Sequence, residues 1–136
     1  MATSDTPARR ILVVDDEPLV CDSLKRMLTV DGYQVQTALT AEAALALLEQ
    51  ENFDLVITDY DMPSMKGDKL AAAIKASHPN RPVALITAYA ELLQTQGTPL
   101  SGVDAVISKP FDLKEFRQAI AQLLAGKPAS PGTTGN

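Results

Sequence analysis

Two hydrophobic patterns alternate along the chain. Five short runs, at residues 11–14, 33–38, 55–58, 83–87 and 105–108, are mostly apolar without strict alternation, and three are rich in Val and Ile. That pattern predicts strands buried on both faces of a parallel sheet. Between them the apolar positions take a helical period. Over 18–30, Val20, Leu24, Met27 and Leu28 form one stripe, with Asp22, Lys25 and Arg26 off it. The stretch 41–50 repeats this with Ala41, Ala44, Leu45 and Leu48, behind Thr40 as N-cap. Residues 68–77 are Ala-rich and stop before Pro79. Over 113–124, Leu113, Phe116, Ile120, Leu123 and Leu124 share a face, and Asp112 with Glu115 resembles a capping box. The fourth connection, 90–102, is the exception, because Gly97 and Pro99 interrupt it and leave room only for a short or irregular helix.

A strand followed by a helix, five times at near-regular spacing, predicts an α/β fold: a doubly wound (βα)5 three-layer sandwich around a five-stranded parallel sheet. Residues 9–125 are expected to form this domain. The polar start, 1–8, and the Gly-, Pro- and Ser-rich stretch 126–136 read as flexible termini or a cut linker.

Composition narrows the function. With 136 residues and 46% hydrophobic content the chain has one domain's length and enough apolar surface for a core. A net charge of −5 argues against phosphate-backbone binding, and the longest apolar run, 43–48, is far too short to cross a membrane. The polar N-terminus carries no apolar signal core, and the single Cys21 forms no internal disulfide, so a cytoplasmic location is expected, without direct contact to nucleic acid or membrane.

In open parallel sheets the chemistry lies beyond the carboxyl ends of the strands. Here the first strand runs into Asp15, Asp16 and Glu17, and the third into Asp59, Tyr60 and Asp61. Desolvated carboxylates this close raise one another's pKa unless a cation sits among them. Oxygen ligands without His or Cys suit Mg²⁺ or Mn²⁺. The plainer reading is that such acids are helix caps, with Asp16 capping the helix that starts at Pro18. Two further strand ends shift the balance: the fourth closes on Thr87 and the fifth on Lys109. Carboxylates, a hydroxyl and a fixed ammonium together suit phosphoryl transfer, with Asp59 the best-placed acceptor. Without the four acids Asp15, Asp16, Asp59 and Asp61, thirteen acids face twelve bases, so most of the charge belongs to this site.

The runs VVDDEP at 13–18, VITDYDMP at 56–63 followed by Gly67, ITA at 86–88 and SKPF at 108–111 resemble the receiver domain of two-component response regulators, of which chemotaxis regulators are the minimal form. The likeness covers about residues 10–124. It implies a flavodoxin-like sheet of strand order 2-1-3-4-5, which sets Asp16 beside Asp59. It further implies that Asp59 is the phosphoacceptor, and that Asp16, Asp59 and the Asp61 backbone carbonyl bind Mg²⁺, with Asp15 acting through water. Thr87 and Lys109 would engage the phosphoryl group, the Lys109–Pro110 bond would be cis, and Gly67 would supply a turn conformation that other residues resist. The implied partners are a histidine kinase or histidine phosphotransfer protein as donor and a downstream protein at the face of the fourth helix, fifth strand and last helix. The domain would be a monomer or a phosphorylation-dependent dimer, and no turnover enzyme beyond its own phosphorylation and dephosphorylation.

Three departures stand out. Val106 occupies the place, three residues before the lysine, where receivers usually carry a switching aromatic; Tyr89 is the candidate substitute. The fourth helix is disturbed. Asp61 sets an acidic side chain two residues after the acceptor, where it would affect the lifetime of the phosphate. An alternative uses the same residues: Asp59-Tyr60-Asp61 has the D-x-D form of haloacid-dehalogenase-like phosphohydrolases, although there the motif follows the first strand. A flavodoxin-like FMN binder lacks its phosphate loop here, and the intact acceptor set argues against a pseudo-receiver.

Overall fold

The computed structural model describes residues 8–63, 65–88 and 102–125. Strands β1 (Arg10–Val14), β2 (Gln34–Ala38), β3 (Leu55–Asp59), β4 (Val83–Thr87) and β5 (Ala105–Ser108) form one parallel sheet of order β2-β1-β3-β4-β5. Helices α1 (Pro18–Val30), α2 (Ala41–Gln50), α3 (Gly67–Ser77) and α4 (Leu113–Leu124) lie between and after them. The doubly wound sandwich expected from the alternation is the observed fold. The expected fourth-connection helix, Tyr89 and both termini beyond 8 and 125 lie outside the described residues.

Both faces of the sheet are covered, which is why its strands carry no alternation. Ile11, Val13, Leu55, Ile57, Ala84, Ile86 and Ile107 point to one side and pack with Cys21, Leu24 and Leu28 of α1 and Phe116, Ile120 and Leu123 of α4. Leu12, Val14, Val56 and Val83 point to the other, against Ala41, Ala44 and Leu48 of α2 and Leu70, Ala71 and Ile74 of α3. Phe116 is fully buried and stacks on Phe111 with ring centroids 4.9 Å apart. Burying such a ring contributes about 1.5–3 kcal/mol.

Local chemistry sets the helix ends. Thr40 Oγ1 accepts the Ala43 amide at 3.0 Å, as an N-cap should. Asp112 Oδ1 accepts from Lys114 N at 2.9 Å, so α4 has its cap. At α1, Pro18 takes the first helical position and Glu17 caps with backbone alone; the carboxylate that closes this turn is Asp15, accepting from Glu17 N at 2.9 Å, rather than Asp16. The helix ends in a Schellman motif, with Tyr33 N donating to Leu28 O, Gly32 N donating to Thr29 O, and Gly32 at φ +98°. Tyr33 is thereby drawn into the turn, and β2 starts one residue later than its apolar run. Among the described residues no helix is long and apolar enough to cross a membrane.

Candidate functional site

The carboxyl ends of β1, β3, β4 and β5 converge on one rim of the sheet. Asp15 follows β1, its amide held by Ala38 O at 3.1 Å, and is 3% exposed. Asp59 closes β3 at 6% exposure, while Asp16 is open to solvent. One carboxylate oxygen from each of Asp15, Asp16 and Asp59 lies within 4.8 Å of the other two. The strand register accounts for Asp15 and Asp59: β1 pairs with β3 from Ile11↔Leu55 to Val14↔Thr58, so the next residue on each chain segment emerges beside the other, with Asp16 one residue on.

Three acids share the cluster, and the charge of Lys109 offsets them only in part. Burial lifts the Asp15 carboxyl to about 6; its hydrogen bond from Glu17 N opposes this, and the charge of Asp59 adds to it. A divalent cation held by oxygen ligands fits these three carboxylates, in the manner typical of Mg²⁺. Beneath them, Cys21 is buried with its Sγ 3.4 Å from the Asp15 carbonyl, and burial pushes its thiol up to about 11.

Lys109 reaches the site from the turn after β5. Its Nζ donates to Asp59 Oδ1 at 3.0 Å, and its amide donates to Thr87 O at 2.9 Å. Partial burial lowers the ammonium's pKa, but the hydrogen bond and charge of Asp59 outweigh that and leave it above the ordinary lysine range. The Lys109–Pro110 bond is cis. Thr87 ends β4 at 2% exposure, paired in register with Ser108. Val106 lies half-buried on β5 opposite Leu85.

The loop after Asp59 differs from expectation in two respects. Gly67 does not adopt a positive φ; it begins α3, and a Cβ there would stand 2.5 Å from Asp59 O, 2.6 Å from Leu85 Cδ1 and 2.9 Å from Tyr60 Cα. The glycine is required by close approach to the backbone of Asp59 and Tyr60. The Asp61 side chain is not one of the clustered carboxylates. It is half-exposed and accepts from Lys66 Nζ at 2.6 Å, and that ammonium also lies 5.5 Å from the centre of the Tyr60 ring. Lys66 escaped the sequence reading because a lysine five residues along a loop has no periodic signature.

Residues 11–121 match the model of the response regulator receiver domain. The chain belongs to that family. A receiver is a signalling switch rather than a turnover enzyme, which disfavours the phosphohydrolase reading. Among receiver proteins, the response regulator FleR of Pseudomonas aeruginosa is 32% identical over 120 residues, 88% of this chain and 25% of FleR. Sporulation initiation phosphotransferase F of Bacillus subtilis is 33% identical over 115 residues, 85% of this chain and 93% of that protein. The solved structure of TrrA from Thermotoga maritima, a complex with Mg(2+)-BeF, superposes with a TM-score of 0.77 at 34% identity, covering 85% of this chain and 98% of TrrA. The chain spans about a quarter of the length of several curated relatives it matches.

Proposed function

We propose that this receiver domain is a phosphoacceptor switch that takes a phosphoryl group on Asp59 from the phosphohistidine of a histidine kinase or a histidine phosphotransfer protein. The observation that carries the reading is the pairing of a buried, strand-end Asp59 with Lys109 at 3.0 Å beside two further carboxylates. Mg²⁺, or Mn²⁺, would be held by Asp16, Asp59 and the Asp61 carbonyl, with Asp15 through water; when bound it offsets the charge of the carboxylates and of the incoming phosphoryl oxygens. The solved TrrA complex with Mg(2+)-BeF supports this assignment by similarity.

In the transfer, an Asp59 carboxylate oxygen attacks phosphorus. The new O–P bond forms as the P–N bond to the donor imidazole breaks, its electron pair returns to the ring nitrogen, and that nitrogen takes up a proton. Lys109 exchanges part of its contact with Asp59 for the phosphoryl oxygens, and the Thr87 hydroxyl donates to another. Hydrolysis reverses the state: water attacks phosphorus, the O–P bond breaks, and inorganic phosphate leaves with Asp59 again a carboxylate. The added charge draws Thr87 and Lys109 inward and reshapes the face of the fourth connection, β5 and α4, where Val106 and Tyr89 are the candidate relays and a downstream protein binds. The domain works as a monomer or a phosphorylation-dependent dimer in the cytoplasm, without direct contact to nucleic acid or membrane.

Incubation with acetyl phosphate and Mg²⁺, followed by peptide mapping by mass spectrometry, tests the reading. One phosphoryl group on Asp59, absent from Asp59→Asn, is the expected result. An adduct on another residue, or none, overturns it.

A further inference from the structure

Backbone hydrogen bonds tie Met62 and Gly67 back to Tyr60, the residue after Asp59. The Tyr60 carbonyl accepts from both Met62 N at 3.2 Å and Gly67 N at 2.9 Å. Met62 is buried, and Gly67 lies against the backbone of Asp59 with no room for a side chain. Lys66 is one residue before that glycine, so its backbone joins a segment packed directly on Asp59. Its side chain spans the outside of the loop: the ammonium holds Asp61 Oδ1 at 2.6 Å and stands 5.5 Å from the Tyr60 ring, with both partners of the ion pair about half-exposed.

This arrangement bears on what can enter. A phosphoryl donor is an anion, and it meets Asp15, Asp16 and Asp59, with Asp61 two residues along the chain from the last of these. Lys109 is committed to Asp59 from the inner side. The charge of Asp59 reaches Lys66, so the Lys66–Asp61 pair stands within the field of the site, and without Lys66 the Asp61 carboxylate would add a further negative charge to it. From this geometry we infer that Lys66 is a positioning residue for donor entry, holding the Asp61 carboxylate to the Tyr60 side of the loop and cancelling its charge so that an anionic phosphodonor can approach Asp59. The inference rests on the phosphoacceptor reading. The contribution is an electrostatic one to approach, and Lys66 touches none of the reacting atoms. In the assay, the Asp59 oxygen displaces acetate from acetyl phosphate: an O–P bond forms, the bridging P–O bond breaks, and acetate leaves with the electron pair.

The test compares Asp59 labelling rates by acetyl phosphate with Mg²⁺ at low ionic strength and near 1 M salt, where the screening length is about 3 Å. Lys66→Met is expected to label about two- to fivefold more slowly at low salt, the range that an exposed charge pair supports. High salt should erase the deficit, Lys66→Arg should restore most of the rate, and Lys66→Met should have no added effect once Asp61→Asn is present. A Lys66→Met rate equal to the parent at low salt overturns the inference, as does a deficit that survives high salt or the Asp61→Asn background. Absence of label on the parent chain overturns the phosphoacceptor reading itself, and is distinguishable from either outcome.

Discussion

Lys109 and Asp59 stand 50 residues apart in the chain and are separated in the sheet by β4, yet their side chains meet at 3.0 Å. Asp59 is nearly buried and has two other carboxylates within 4.8 Å, so this contact is its counter-charge from the protein. Replacing Lys109 by Met is expected to destabilise the cation-free domain by about 1–2 kcal/mol, a modest value because the lysine head is one-third exposed. Urea unfolding with and without MgCl₂ checks this, with the deficit smaller in the presence of the cation. An unchanged midpoint contradicts it.

Gly67→Ala is expected to harm stability and chemistry together. The added Cβ meets a backbone oxygen at 2.5 Å, which cannot rotate away as a flexible side chain would. Overpacking of this kind costs about 1–3 kcal/mol and displaces Asp59. Gly32→Ala offers the contrast: nothing lies within 4 Å of its Cβ position, and φ +98° alone makes alanine unfavourable there. Its cost, about 1–2 kcal/mol, should leave Asp59 labelling intact. Denaturation midpoints and labelling rates measured on both variants separate the two effects.

Asp15 inverts the usual acid dependence of a carboxylate. Its folded-state pKa of about 6 lies above the ordinary 3.8, so the folded chain binds this proton more tightly than the unfolded one. Its ionised form opposes folding above pH 6, and that opposition is relieved as the pH falls toward 4. Relative to Asp15→Asn, the parent should gain about 1 kcal/mol of stability between pH 7.5 and pH 5 in chelator-treated buffer. A stability difference between the two proteins that does not vary with pH contradicts the assignment.

Cys21 should be chemically silent in the native state. It is 2% exposed and burial holds its thiol near 11, so at pH 8 almost none is thiolate and none is accessible. A disulfide reagent at pH 8 is expected to titrate one thiol in urea and to react orders of magnitude more slowly without it. A fast native reaction contradicts the packing.

Much of this could be read before any coordinates. The bounds of α1, α2, α4, β4 and β5 follow directly from apolar period, Pro18, Thr40 and Asp112, because in those segments local preference and tertiary packing agree. β3 extends one residue past its apolar run, to Asp59, because the β3–β4 ladder continues through Asp59↔Ile86 and a carboxylate is tolerated where the sheet meets the rim. α3 starts at Gly67, which propensity disfavours in a helix, because the contact with Asp59 O excludes every larger residue. The strand-end acids, Thr87 and Lys109 were visible as residue types, and the parallel topology brings them together. The Lys66–Asp61 pair was not visible, since it depends on the closure of a loop by the Tyr60 carbonyl.

A sheet apolar on both faces carries a hidden difficulty for folding. Where one face is polar, sliding a strand by one residue, about 3.3 Å, exposes its greasy side and is penalised at once. In β1 the same slip exchanges Ile11 and Val13 for Leu12 and Val14, which are equally apolar, so the interior scarcely notices. The penalty falls at the two ends. Sliding one way carries Asp15 into the apolar sheet; sliding the other way pulls the Arg10 amide off Asp54 Oδ2, its 2.8 Å anchor. Asp15 at the rim is thus a mechanical stop as well as a member of the acidic cluster, and a variant that neutralises it loses an alignment cue for β1.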